Sequence, residues 1–429
     1  MASVRRRHGG ARGISLIRGI FTISMVLLVI YWSAIIMLLN NNNNNNISNR
    51  SSTSSRLHSY DTTTSLSKNL IGTNLGPLRT RGSKDATVMA MASGYPLKVY
   101  RRFVGSLRKS GFEGNIILAI HSKPQQGVEE YLMKQNVVMK KLKFVNCTFD
   151  ATGVRKDNVT NSHAKEQVTC VHPYPDIKIR WSRFPLLRDY LQDCEECQGP
   201  VLVCDARDTI FQQDPFGIGA PEVTGLQVFR EHKTMTTAHW LTQVPIQKCK
   251  GIDMSRPPNL NPMLCSGTTI GTREAMLEYF NVMHQEMSMW MNDPNCCCNP
   301  MNGDDQSMHN YLFYTGKLPF ATAVSNRMGI VHTAGAQGSY ICNGHAKFLN
   351  EKANMTRQEA MRQPYAGAAG KDRWIGKEWD LVDDEGFFID YDGGRSRVVH
   401  QYDRFGPPFE KYLERHRGKL WELLQGPNH

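Results

Sequence analysis

From residue 86 onward, short apolar runs alternate with stretches in which apolar residues recur every three or four positions, the patterns of strands and amphipathic helices in turn. Ala86-Thr87-Val88-Met89-Ala90-Met91-Ala92 predicts a buried strand, Ser93-Gly94-Tyr95-Pro96 a turn and helix start, and the segment to about Lys109 an amphipathic helix. A second strand is predicted over Asn115-Ile116-Ile117-Leu118-Ala119-Ile120. Such a β-α-β unit crosses over right-handedly and leaves a nucleotide-sized crevice above its strand ends. No G-x-G-x-x-G follows the first strand, which disfavours a dinucleotide site and leaves room for a mononucleotide. A further helix, from about Ile177 to Gln192, sets Trp181, Phe184, Leu187 and Leu191 against Lys178, Arg180, Arg183 and Arg188 and feeds the strand that ends at Asp205. The alternation continues without an evident repeat, so residues 85–429 are read as one large α/β domain.

A different pattern precedes this region. Residues 19–39 carry no charge and are almost wholly apolar, long enough to cross a bilayer as one helix. Arg5, Arg6, Arg7, Arg12 and Arg18 precede the run, so the positive-inside rule makes residues 1–18 a cytosolic tail and residues 19–39 a signal anchor of type II topology. A cleaved signal peptide fits less well, because the run exceeds a normal h-region and no clear small-x-small site follows. Residues 40–84 open with seven Asn and continue in Ser, Thr, Asn, Leu, Gly and Arg, which predicts a flexible stem.

Charge changes the picture by subtraction. Residues 1–60 hold seven Arg and no acid, so of the formal +12 only +5 belongs to the remainder. That removes the main support for nucleic-acid binding and leaves a modest basicity that suits an anionic ligand. All eleven Cys lie beyond the anchor, on the side where disulfides form, and Cys204 inside an apolar strand is the candidate for a buried free thiol. Cys194-x2-Cys197 with the triplet Cys296 to Cys298 also has the ligand types of a zinc site, though no second C-x2-C accompanies it. Sequons at Asn46, Asn49, Asn146, Asn158 and Asn354 fit a glycosylating lumen, and together with anchor and stem predict a resident of the Golgi or ER membrane.

The chemistry-bearing stretch is Val201-Leu202-Val203-Cys204-Asp205-Ala206-Arg207-Asp208. It delivers two carboxylates, three residues apart, to a strand's C-terminal end, where a divalent cation can be held against phosphate oxygens. An Asp after a strand also serves commonly as a turn or cap residue.

Arg183-Phe184 followed by Tyr190-Leu191, a hydrophobic strand and Asp205-Ala206-Arg207-Asp208 resembles the arrangement of GT-A glycosyltransferases, especially the retaining glycogenin-like and bacterial galactosyltransferase group. The wording DARDTIFQQDPF is similar to that of plant and microbial nucleotide-diphospho-sugar transferase-like proteins. Three more segments follow in the family's order: Asn261 to Gly271, with Ser266-Gly267; Gly303 to Leu312, with Asp305-Gln306; and Val398 to Phe405, with His400. The resemblance spans about residues 85–410.

It implies a Rossmann-like single mixed sheet flanked by helices, and transfer of a hexose with retention from a nucleotide-diphosphate sugar, a UDP-sugar first, to a hydroxyl of a glycan or glycoprotein. It further implies Asp205, Asp208 and His400 as ligands of Mn2+ or Mg2+. Donor contacts would come from Ala90, Ser93, Arg183, Asp205, Arg207, Ser266, Gly267 and Arg404, and Asp305 and Gln306 would flank the reacting centre. Structural readings stand beside these: Asp305 as a helix N-cap, Gly267 as a strand bulge and His400 as an ordinary strand-end residue.

Three departures mark the chain. Arg207 stands where a strict D-x-D has its second acid, with Asp208 one place on; the family's C-terminal loop is reduced to His400, with Asp403 and Gly406 at its Gly and Lys positions and Arg404 as a substitute cation; and the first strand ends in Met91-Ala92-Ser93, without an acidic pair for uridine. A lumenal binding or scaffold protein of the same fold, and a metal-dependent phosphohydrolase, are the alternatives.

Overall fold

The computed structural model describes residues 79, 81–148, 169–293, 296, 304–363, 381–383, 385–416 and 419–425. The expected anchor, most of the stem, and the sequons at Asn46, Asn49 and Asn158 lie outside these residues. No helix among the described residues is long and apolar enough to cross a membrane.

The first predicted unit is present as β1 (Thr87–Ala92), α1 (Leu97–Lys109) and β2 (Asn115–His121). Then come α2 (Val128–Lys134), β3 (Val137–Leu142), β4 (Phe144–Asn146), β5 (Thr169–Val171), α3 (Arg183–Gln192), β6 (Val201–Cys204), β7 (Thr209–Phe211) and β8 (Leu226–Arg230). The chain continues through α4 (Trp240–Lys250), β9 (Leu264–Gly271), α5 (Arg273–Asn292), α6 (Asp304–Tyr314), β10 (Ala321–Val324) and β11 (Val331–Thr333). It closes with α7 (Gly335–Ala353), α8 (Arg357–Ala360), β12 (Val398–His400), a 3-10 turn at Tyr402–Phe405, α9 (Gly406–His416) and α10 (Lys419–Gln425).

Seven strands form one mixed sheet in the order β10-β8-β9-β6-β1-β2-β3, with β9 antiparallel to both its neighbours and the other pairs parallel. Period-two alternation loads both faces. Met89, Val201 and Val228 pack with Leu187 of α3, Phe280 of α5 and Leu312 of α6, while Val88, Leu118 and Leu202 pack with Phe103 and Val104 of α1. Each fully buried side chain of this size contributes about 2 kcal/mol, and the two-sided core is what holds the strand ends in place. A second sheet, β11-β12-β7, lies over a separate apolar cluster of Ile210, Val399, Ile341, Phe409 and Leu424.

The structure corrects the sequence reading at two boundaries. The helix expected from Ile177 begins at Arg183, after turns in which Trp181 and Ser182 donate to the carbonyl of Lys178. Pro185 is the reason: it has no N–H to give to Trp181, so it fits only in a first turn. The folded body also reaches back into the expected stem. Arg79 and Ala220 are joined by a backbone hydrogen bond of 2.8 Å, and buried Ser83 accepts from the N–H of Glu113.

Cys147–Cys170, Cys194–Cys197 and Cys249–Cys296 are disulfides, so the zinc reading of the Cys194 pair does not hold. Cys297 and Cys298 lie outside the described residues. Cys204 is a buried free thiol as expected, and Cys265 and Cys342 are two more. Asn146 and Asn354 are exposed, as sequon residues must be to receive a glycan.

Candidate metal and donor site

β6 ends at Cys204 and the chain bends at once through residues 206–208 before β7 starts at Thr209. The turn, not strand alternation, therefore brings Asp205 and Asp208 together. β12 runs antiparallel to β7 with His400 opposite Thr209, which carries an imidazole from nearly two hundred residues away to the same turn. One ligand atom each of Asp205, Asp208 and His400 lies within 4.8 Å of the others.

The third wall comes from β9. Its pairing with β8 slips between Val228 and Phe229, so that Ser266-Gly267 bulges out, and the carbonyl of Gly267 accepts from the N–H of Asp205 at 2.9 Å. A Cβ at residue 267 would lie 2.4 Å from His400 Nε2 and 2.8 Å from Asp205 Oδ2. Only glycine leaves that point free. The bulge and the site thus use the same residue.

Asp208 is 4 % exposed and His400 1 %. Burial pushes the Asp208 carboxyl up from the ordinary range; His400 and Arg207 pull it back, while Asp205 and Asp403 push it further. Its Oδ2 accepts from Arg207 at 2.9 Å, but its buried Oδ1 has no hydrogen-bond partner. His400 Nδ1 lies 3.1 Å from Thr209 Oγ1, which leaves Nε2 as the nitrogen that faces Gly267 and Asp205. An orphaned carboxylate oxygen, a second carboxylate and an imidazole nitrogen around a point kept clear by glycine could hold a divalent cation.

Arg183, the first residue of α3, ties the site to α6. It donates to Asp205 Oδ1 at 2.5 Å, to Asp305 Oδ2 at 2.6 Å and to the carbonyl of Ser266 at 3.1 Å. Burial opposes its charge, but Asp205 and Asp305 outweigh that and hold it firmly protonated. It is thus committed to two acids rather than aimed freely at a phosphate. Asp305 sits in the first turn of α6 and also accepts from the N–H of Gln306, and the half-buried Gln306 side chain has no hydrogen bond among the described residues.

The remaining expected residues divide. Ser93 is half-buried at the C-terminal end of β1, level with the site, whereas Ala90 is wholly buried and packed in the core on the α1 side of the sheet, which removes it as a donor contact. Alternation explains the error: residue 90 points the same way as Val88 and Ala92. Arg207 pairs with Asp208 and, at 3.4 Å, with Asp403. Arg404 is half exposed, its Nε 3.8 Å from Asp403.

Three residues escaped the sequence reading. Tyr95 lies within the field of Asp205, Asp208, Arg207 and Arg183, and burial first, then the two acids, raise its phenol pKa. Its place in the turn after β1 was the available signal. Glu231, 5 % exposed at the end of β8, has its pKa raised by burial against the pull of His400. Gln401 takes the left-handed backbone conformation at φ 60°, gives its N–H to the Asp208 carbonyl at 2.7 Å and points its amide at Glu231. Nothing local marks Glu231 or Gln401, because their partners are distant in sequence.

Asp205, Asp208, Glu231, Asp305 and Asp403 outnumber Arg183, Arg207 and Arg404 in this cluster by two. An anionic ligand would add to that negative charge, and a bound cation would offset it. Compared with known proteins, the chain matches no family model and no curated protein sequence. What fold and site define together is a mixed α/β protein with a cation-suited carboxylate and imidazole cluster at the C-terminal edge of its main sheet.

Proposed function

We propose that the protein is a type II membrane glycosyltransferase of the GT-A kind, anchored by residues 19–39, with its catalytic domain in the lumen of the Golgi or ER. It moves a hexose from a nucleotide-diphosphate sugar, a UDP-sugar first, to a hydroxyl of a glycan or glycoprotein, with retention. The observation that carries this reading is the union of Asp205, Asp208 and His400 around the gap at Gly267, with Arg183 linking that cluster to Asp305 beside Gln306.

In the transfer, the acceptor oxygen bonds to the anomeric carbon, and the bond from that carbon to the β-phosphate oxygen breaks with its electron pair on the nucleoside diphosphate. The acceptor's proton passes to the departing phosphate. A cation bound by Asp205, Asp208 and His400 would neutralise charge on the leaving diphosphate. The chain's own groups position and shape. Gly267 lets a sugar approach the backbone, Arg183 fixes the angle between Asp205 and Asp305, and the unpartnered amide of Gln306 is available to the sugar or acceptor.

The test is a panel of UDP- and GDP-sugars offered to the full-length protein in detergent with Mn2+ and mixed glycan acceptors. Release of nucleoside diphosphate, stimulated by acceptor and matched by a glycan product, is expected. Orthophosphate or free sugar as the sole product would favour the hydrolase, and no turnover or binding the scaffold.

A further inference from the structure

Trp240 is half exposed at the first position of α4, although that helix buries Thr242, Gln243, Pro245 and Ile246 instead. A half-exposed indole offers a flat apolar face with a polar edge to whatever reaches it. The loop beneath it is well tied. Thr237 is fully buried, donates to the carbonyls of Asn261 and Met254 and accepts from the N–H of Asn261, and Met235 accepts from Met263.

The place of this side chain is informative. The loop follows the C-terminal end of β8, the sheet edge that holds the metal and donor cluster. The Leu241 carbonyl, one residue on, accepts from Ser307 Oγ at 2.5 Å, and Ser307 directly follows Asp305 and Gln306. The backbone at the start of α4 therefore stands beside the first turn of α6, which carries Asp305 and Gln306.

Its surroundings are polar. His239 lies alongside with ring centroids 5.8 Å apart and planes 31° from parallel, and its Nδ1 accepts from the Leu241 N–H. Lys233, Thr234 and Ala238 are exposed on the same loop, and Leu260, on the segment hydrogen-bonded to Thr237, is the one large exposed apolar neighbour along that segment. A flat apolar face beside an imidazole matches a pyranose, which has C–H groups on its face and hydroxyls around its edge; a protein partner would need a broader apolar patch.

We infer that Trp240, with His239, is the acceptor subsite: the indole stacks on the sugar ring that carries or adjoins the reacting hydroxyl and aims it at the Asp305-Gln306 end of the cleft. This rests on the glycosyl-transfer reading above.

Two measurements on the full-length protein separate the two. On a printed oligosaccharide array, the wild type should bind a subset of glycans, Trp240→Ala should lose them and Trp240→Phe should keep them. In turnover with the acceptor found in the panel, Trp240→Ala should raise the acceptor KM about tenfold or more, with Trp240→Phe near wild type. The donor KM and acceptor-independent donor hydrolysis should stay within about twofold. An unchanged acceptor KM, array binding retained by Trp240→Ala, no array glycan bound by the wild type, or a parallel loss of donor hydrolysis would each overturn the inference. Absence of donor turnover in the wild type would instead strike the glycosyl-transfer reading, and array binding would still report on Trp240.

Discussion

Asp208 is the residue at which burial, charge and chemistry meet. It is buried with one carboxylate oxygen unpartnered, a state that costs on the order of 1–3 kcal/mol unless a ligand relieves it. Arg207, half exposed, spans Asp208 and Asp403 and steadies the charge without occupying the gap at Gly267. Arg207→Ala should therefore raise the Mn2+ concentration needed for half-maximal activity, because the buried carboxyl then holds its proton more tightly. The kcat at saturating Mn2+ should stay within about threefold. A metal titration of both forms checks this; activity that resists chelator in the wild type and vanishes in Arg207→Ala would mean that the guanidinium stands in for the metal. Asp205 and Asp208 were legible from their place at the end of an apolar strand, whereas His400 was named only through the family resemblance. Ala90 misled because facing is a matter of register, and Glu231 because only the fold brings it near His400.

At the scale of elements, strand and helix identities follow from periodicity, while their ends follow from single residues such as Pro185. The bulge in β9 was foreseen only as an alternative to function, and the structure makes it the means by which Gly267 reaches the site. Two elements bear on acid stability. His309 of α6 and His332 of β11 are fully buried, and burial first, with a nearby arginine second, depresses each to about 3. A histidine whose folded pKa lies below its unfolded value stabilises the fold above pH of about 6.5 and loses that contribution as pH falls toward the folded value. Asp390, raised to about 6 chiefly by burial, works in the opposite sense, favouring the fold as pH falls through 6 toward 4, and burial raises Asp208 and Glu231 in the same sense. Burial also lowers His239, His284 and His345, so the depressed histidines outnumber the raised acids. The Tm should fall steadily from pH 7 to pH 4.5, and less steeply in His332→Gln. A flat or rising Tm over that range in thermal unfolding would contradict this.

Taken whole, the molecule builds its site from segments separated by long stretches of chain: Arg183 before the metal strand, Ser266-Gly267 and Asp305 after it, and His400 near the end, joined by one mixed sheet and the small β11-β12-β7 sheet. The alternation of strand and helix patterns made the α/β class legible. Their convergence was not, since it depends on the turn after Cys204 and on which strand lies opposite Thr209. The central claim is that this convergence binds a nucleoside diphosphate through a divalent cation, and calorimetric titration of UDP into the full-length protein tests it most directly. Binding should require Mn2+, disappear in chelator, and weaken at least about tenfold in Asp208→Asn while the Tm changes little. UDP binding that is equally tight in chelator and in Asp208→Asn would contradict the account.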